Sequence, residues 1–290
     1  MTATTSPNRM PQGNTGHDTA QPRGHWKIDD IPYHRIDRAA IEGDEDLFYL
    51  LMSASFVETG SDTYAANLGE HYAHYPQISD WLMQEWEHEE LQHGASLRRY
   101  VETVWPSFLW QQAYDSFFAE YSQLCTVEEL FSDRRLEMVA RCVVETGTTA
   151  YYHTLRDLSH EPVLTQLLGH IRNDEVGHFK HFLAYFKTLQ QEAPIGRARI
   201  AGAMYSRLKE LRESDSDVAL RHVFAHKGPL FCTPERRFDD VAQRIYHLVS
   251  TGLPADMAVR MLLKPLLLPP RLESYLHGPI SKLACKVMAY

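Results

Sequence analysis

The sequence predicts an all-α protein, a four-helix bundle built from two related helix pairs with additional C-terminal helices. Three observations predict it. From about Asp44 onward apolar positions recur at threes and fours, the period of a helix face, and strand alternation is scarcely visible. Gly and Pro fall between long segments, where helices start and stop. The third observation is an internal repeat, in which Val57-Glu58-Thr59-Gly60-Ser61 with Tyr64 returns as Val144-Glu145-Thr146-Gly147-Thr148 with Tyr151.

Each element follows from local signals. Residues 1–25 are rich in Thr, Pro, Gly, Asn and Gln and hold little that could be buried, so ordering them would cost entropy without compensation, and a disordered tail is expected. Residues 45–70 read as the first helix, apolar nearly all round from Leu47 to Val57, as a helix inside a bundle must be. The second starts near Pro76, a first-turn proline, and stops before Trp105-Pro106. Residues 107–131 are helical in part, with Thr126-Val-Glu-Glu as an N-terminal cap. A third long helix covers about 132–158 and a fourth runs from Pro162 to about Gln190. Together 26–193 form the predicted bundle. Charge then changes sign: residues 1–194 carry 14 Lys+Arg against 29 Asp+Glu, and 195–290 carry 15 against 9. The basic part, 194–290, reads as a helical extension packed on the bundle, broken at Gly228-Pro229, Gly252-Leu-Pro254, Pro265, Pro269-Pro270 and Gly278-Pro279.

The repeat extends into the helices that follow. After the prolines come Glu89-Glu90-Leu-Gln-His93 and Asp174-Glu175-Val-Gly-His178, with Tyr100 and Tyr185 each seven residues beyond the histidine. A glutamate and a histidine three apart on a helix project from one face about a turn apart, so one carboxylate and one imidazole can converge on one ion. Adding one glutamate from each partner helix gives Glu58, Glu90, His93, Glu145, Glu175 and His178. Four carboxylates and two imidazoles are a hard-to-borderline set suited to two Fe ions, or to Mn or a mixed Mn/Fe pair. With 16 His in 290 residues an isolated ExxH means little, and the chain has three. Glu85-Trp-Glu-His88 falls outside the repeat and is expected on an exposed face. His71, His74, His153, His160 and His170 are expected to be surface or satisfied polar residues, and His181 is a minor candidate for the site.

Glu plus ExxH in two helix pairs resembles the ferritin-like di-iron carboxylate proteins. Within that superfamily Glu89-Glu90-Leu-Gln-His93-Gly94 and Asp174-Glu175-Val-Gly-His178 are similar to the acyl-carrier-protein desaturase motifs EENRHG and DEKRH. The likeness covers about residues 44–190. It implies reductive activation of O2 at a di-iron centre and oxidation of a C–H or N–H bond. It also implies that the acid before each ligand glutamate bonds the histidine of the opposite pair, Glu89 to His178 and Asp174 to His93. Thr148 matches the desaturase threonine beside the metal, which makes it a catalytic candidate; the alternative is a helix threonine bonding its own backbone.

Function follows as an expectation: an O2-dependent non-haem di-iron oxidase or oxygenase performing desaturation, hydroxylation or N-oxygenation of a small-molecule or acyl-type organic substrate. No nicotinamide or flavin fingerprint is present, so electrons are expected from a separate ferredoxin or reductase. The alternative is a manganese catalase or a ferritin-like iron or peroxide redox protein. A net charge of −9 argues against nucleic acid as the main partner. No window is long and apolar enough for a membrane span, and Cys125, Cys142, Cys232 and Cys285 lack any CxxC, so a cytoplasmic protein is expected, with a homodimer as the candidate assembly.

Overall fold

The computed structural model describes residues 26–211, 215–231 and 236–288. The tail expected over 1–25 lies outside them, as does Cys232. Among the described residues the protein is all-α, with no strand. A short opening helix, α1 (Arg38–Ile41), leads into α2 (Glu45–Thr59) and α3 (Ser61–His71), followed by α4 (Pro76–Trp81), α5 (Glu87–Val104) and α6 (Trp110–Tyr121). Two long helices follow, α7 (Arg134–Leu158) and α8 (Pro162–Glu192). The C-terminal part holds α9 (Arg197–Glu210), α10 (Asp215–His226), α11 (Phe238–Gly252), α12 (Ala255–Leu263) and α13 (Pro270–Met288).

Helix starts obey the local chemistry. Asp44 accepts from the Leu47 amide, Asp133 from Arg135, and Glu161 from Val163 and Leu164, each using orphan N–H groups of a first turn. Pro76 and Pro162 occupy first-turn positions. Thr126 precedes only a single 3-10 turn, Val127–Glu129, and its side chain makes no capping bond, so the cap expected there does not form.

Two expected helices are interrupted. The segment 45–70 breaks at Gly60, where α2 ends and α3 begins; a Cβ at Gly60 would stand 2.9 Å from the Tyr121 ring, so glycine allows α6 to press against the bend. The helix from Pro76 to Val104 contains one π turn, Leu82–Trp86, between α4 and α5. Such turns insert an extra residue into the helical register and frequently occur beside functional sites.

Pairing sets the architecture. Helix α5 packs along α2 and α3, and α8 along α7; α10 lies on α2 and α6, while α9 and α12 lie on α7. Buried apolar residues fall into two clusters. One takes Leu47–Phe56 of α2, Leu97–Val104 of α5, Tyr152 and Leu155 of α7 and Val163–Ile171 of α8. The other takes Ala65 and Leu68 of α3, Trp81–Trp86, Leu136–Val143 of α7 and Phe179–Leu189 of α8. On each of α2, α5, α7 and α8, a short buried polar stretch separates one cluster from the other, around Glu58, Glu90 to His93, Glu145 and Glu175 to His178. No described helix is long and apolar enough to cross a membrane. Cys125 and Cys142 form no disulfide, and Cys142 is a buried thiol.

Candidate metal centre

The six residues singled out by the repeat meet in that polar layer, each at most 7% exposed. They form two groups, Glu58, Glu90, His93 and Glu175, and Glu90, Glu145, Glu175 and His178, whose candidate ligand atoms lie within 4.8 Å of one another. Glu90 and Glu175 belong to both. Their oxygens are divided between the groups: Glu90 turns Oε2 toward His93 Nδ1 (3.7 Å) and Oε1 toward His178 Nδ1 (3.1 Å), and Glu175 turns Oε1 toward His93 (3.2 Å) and Oε2 toward His178 (3.5 Å). Glu58 closes one end, 3.8 Å from His93 Nδ1, and Glu145 the other, 3.7 Å from His178 Nδ1.

This donor set fits a cation. His93 Nδ1, His178 Nδ1 and Glu175 Oε1 are fully buried yet make no hydrogen bond. Orphaned buried donors and acceptors are rare and costly, and cations held in the two groups would satisfy all three. Protons otherwise have to supply the positive charge. Burial, with Glu90 and Glu175 alongside, pushes the Glu58 carboxyl up to about 8. Burial likewise lifts Glu145. Burial alone would depress His93 and His178, but the surrounding carboxylates hold both imidazoles well above the usual histidine range. Burial would also raise Glu175, yet the His178 and His93 rings keep it below its ordinary value. The buried Glu and His groups could therefore hold a metal ion in exchange for protons.

The rings' outer nitrogens are fixed by crossed acids. Asp174 Oδ2 lies 3.1 Å from His93 Nε2, and Glu89 Oε2 lies 2.7 Å from His178 Nε2. Each bond leaves Nδ1 facing the carboxylates, which sets both tautomer and ring direction. Asp174 also accepts from Trp26 Nε1 at 2.6 Å, and the Trp26 ring stacks parallel to His93. Replacing Asp174 or Glu89 by alanine is expected to leave the fold intact and weaken metal binding by roughly 10–100-fold, read from metal competition titrations. Unchanged affinity in both variants would show that the crossed acids do not orient the rings.

Thr148 does two things: its hydroxyl donates to Glu175 Oε2 at 2.9 Å and approaches the Glu145 carbonyl of its own helix at 3.2 Å. His181 joins neither group and stacks on Trp81. Glu85 and His88 are exposed. Of the remaining histidines, His170 stacks on Trp26, His71 packs edge-on against Tyr72, and His153 pairs with Asp157.

Five contributors were not evident from the repeat. Tyr152, fully buried, donates to Glu58. It lies seven residues after Glu145, two turns along the same face, so helical phase could have found it. Trp26 comes from just beyond the polar tail and carries no motif. Arg207, Glu210 and Leu211, from the C-terminal part, help line a cavity of about 380 Å³. That cavity reaches Glu58, Glu90, Glu145, Glu175 and Thr148 and is walled by Val57, Tyr64, Trp86, Tyr121 and Val144. Neither histidine of the centre lines it, so the carboxylates face the cavity and the imidazoles back onto the crossed acids.

No protein-family model matches the chain, and no curated protein matches it.

Proposed function

We propose that this chain is an O2-dependent non-haem di-iron oxidase or oxygenase of the ferritin-like class, acting on a small organic substrate. The observation that carries the reading is the joining of two features: a buried, pseudo-symmetric set of four carboxylates and two imidazoles, and a ligand-sized cavity open onto its carboxylate side. In this reading Glu58 and His93 would hold one ion and Glu145 and His178 the other, with Glu90 and Glu175, common to both groups, available to each. When bound, a reduced iron pair supplies the electrons that activate O2 for oxidation of a C–H or N–H bond. The protein's own part is positioning. The apolar clusters on either side keep bulk water from the polar layer. Asp174 and Glu89 hold the imidazoles in one tautomer, Thr148 and Tyr152 donate to Glu175 and Glu58 and so fix those carboxylates, and the cavity wall presents the substrate to the carboxylate face. Electrons are assigned to an external donor such as a ferredoxin or reductase.

A simple peroxide-dismutating or iron-storing centre needs no walled organic cavity, which favours the oxidase reading over a manganese catalase or iron-oxidising ferritin. Loading the protein anaerobically with ferrous iron and then admitting O2 should give rapid O2 uptake at the centre. Fast peroxide disproportionation by manganese-loaded protein, with no O2 reaction of the ferrous form, would replace this function by the catalase one.

A further inference from the structure

The repeat that builds the centre is broken at one place that metal binding does not explain. Four and eight residues before Glu58 stand Ala54 and Leu50, both buried and apolar; four and eight residues before Glu145 stand Arg141 and Glu137, both buried and charged. One half of the molecule thus supports its glutamate with aliphatic packing, whereas the other has a guanidinium only 4% exposed and a carboxylate with none exposed. Burying an ion pair is usually no gain over apolar packing of similar volume, so the substitution is not explained by stability.

The pair's geometry shows what the arginine has left over. Arg141 Nε donates to Glu137 Oε1 at 2.9 Å, and the guanidinium lies over the Tyr64 ring at 4.5 Å. Glu137's second oxygen is taken by the Phe131 amide at 2.8 Å. Of five guanidinium N–H donors, the one on Nε is used, while Nη1 and Nη2 donate to no described residue, and Arg141 lines the cavity. Arg207 adds a second guanidinium to the same wall, 3.6 Å from Glu137, with its buried Nε making no hydrogen bond. Two cations thus face one fully buried carboxylate, and the next acid, Glu210, has a side chain 48% exposed at the rim. Arg141 and Arg207 thus place two guanidiniums on the cavity wall, beside the carboxylates of the centre.

Resting on the di-metal reading above, we propose that the substrate carries a carboxylate, held end-on by the Nη1/Nη2 edge of Arg141. A planar carboxylate matches that fork with two parallel hydrogen bonds, and the Tyr64 face and Glu137 fix the plane in which the fork is offered. Arg141 is one helical turn from Glu145, about 6 Å along the axis, so a small acid anchored there runs past Val144 and Thr148 to the carboxylate face of the centre. Arg141 is a binding residue and sets specificity for acids over their neutral analogues.

The test uses the full chain loaded with iron, with metal content measured on every sample. Benzoate, phenylacetate and hexanoate, each beside its amide, are titrated by calorimetry into wild type and into the double variant Glu137→Gln/Arg141→Met. That variant removes both charges together, because Arg141→Met alone would strand a buried carboxylate and endanger the fold. At least one acid should bind wild type with its amide at least about tenfold weaker, and the double variant should lose at least about tenfold for that acid while its metal content stays at the wild-type level. No acid bound in preference to its amide, or equal acid binding by the double variant, would overturn the proposal and leave the metal reading standing. A wild type that takes up no metal would instead remove the reading beneath it.

Discussion

Glu90→Ala and His93→Ala are expected to abolish the metal centre, whereas Glu85→Ala and His88→Ala should keep the full metal content. Both pairs satisfy ExxH on the same continuous helix, so the contrast isolates position from composition. Glu90 offers one oxygen to each histidine, and its removal takes a ligand from both groups at once. His93 is fully buried among Glu58, Glu90 and Glu175. Glu85, within the π turn, and His88, just after it, are both exposed. Elemental analysis of the four purified variants decides the matter; metal lost from Glu85→Ala or His88→Ala and kept in Glu90→Ala would reverse the assignment of the second helix and with it that of Glu58.

Gly94→Ala should be the most damaging single methyl that can be added near the centre. A Cβ at Gly94 would stand 2.7 Å from the Thr59 amide nitrogen and 2.8 Å from its Cα, and backbone cannot swing aside as a side chain can. Helix α5 would have to retreat from α2 at the level where His93 and Glu90 face Glu58. Overpacking of this kind costs about 1–3 kcal/mol, and here the displacement also parts ligands of one group. Gly147, by contrast, is exposed and meets only Leu211 at 3.7 Å, so Gly147→Ala should gain up to about 1 kcal/mol of helix propensity and leave metal uptake unchanged. Denaturant melts of metal-free protein together with metal content measure both. A Gly94→Ala protein as stable and as metal-rich as wild type would contradict the close approach on which this packing depends.

The internal repeat made the six buried residues legible because the chemistry needs one residue type at one helical phase twice over, and spacing along a helix translates directly into a shared face. The helix boundaries at Pro76, Val104 and Pro162 were legible for the same local reason, since proline and capping act within a turn. What escaped was set by contacts distant in sequence. The break at Gly60 depends on Tyr121, 61 residues away, and the π turn at Leu82–Trp86 has no residue signature of its own. Trp26 reaches Asp174 across 148 residues. The charge boundary near residue 194 was read as a division between bundle and extension, yet Arg207, Glu210 and Leu211 from beyond it line the cavity at the centre. Arg141 and Glu137 were in view as letters, but only their burial and the cavity beside them distinguish that pair from a solvated one.

The central claim is that the polar layer binds a pair of ions, and metal stoichiometry of the reconstituted, well-folded chain tests it most directly. Wild type equilibrated with ferrous iron under exclusion of O2 and freed of excess metal should retain close to two ions per chain, because four buried carboxylates and two imidazoles need about that much compensating charge. Retention of one ion or none by folded protein would contradict it.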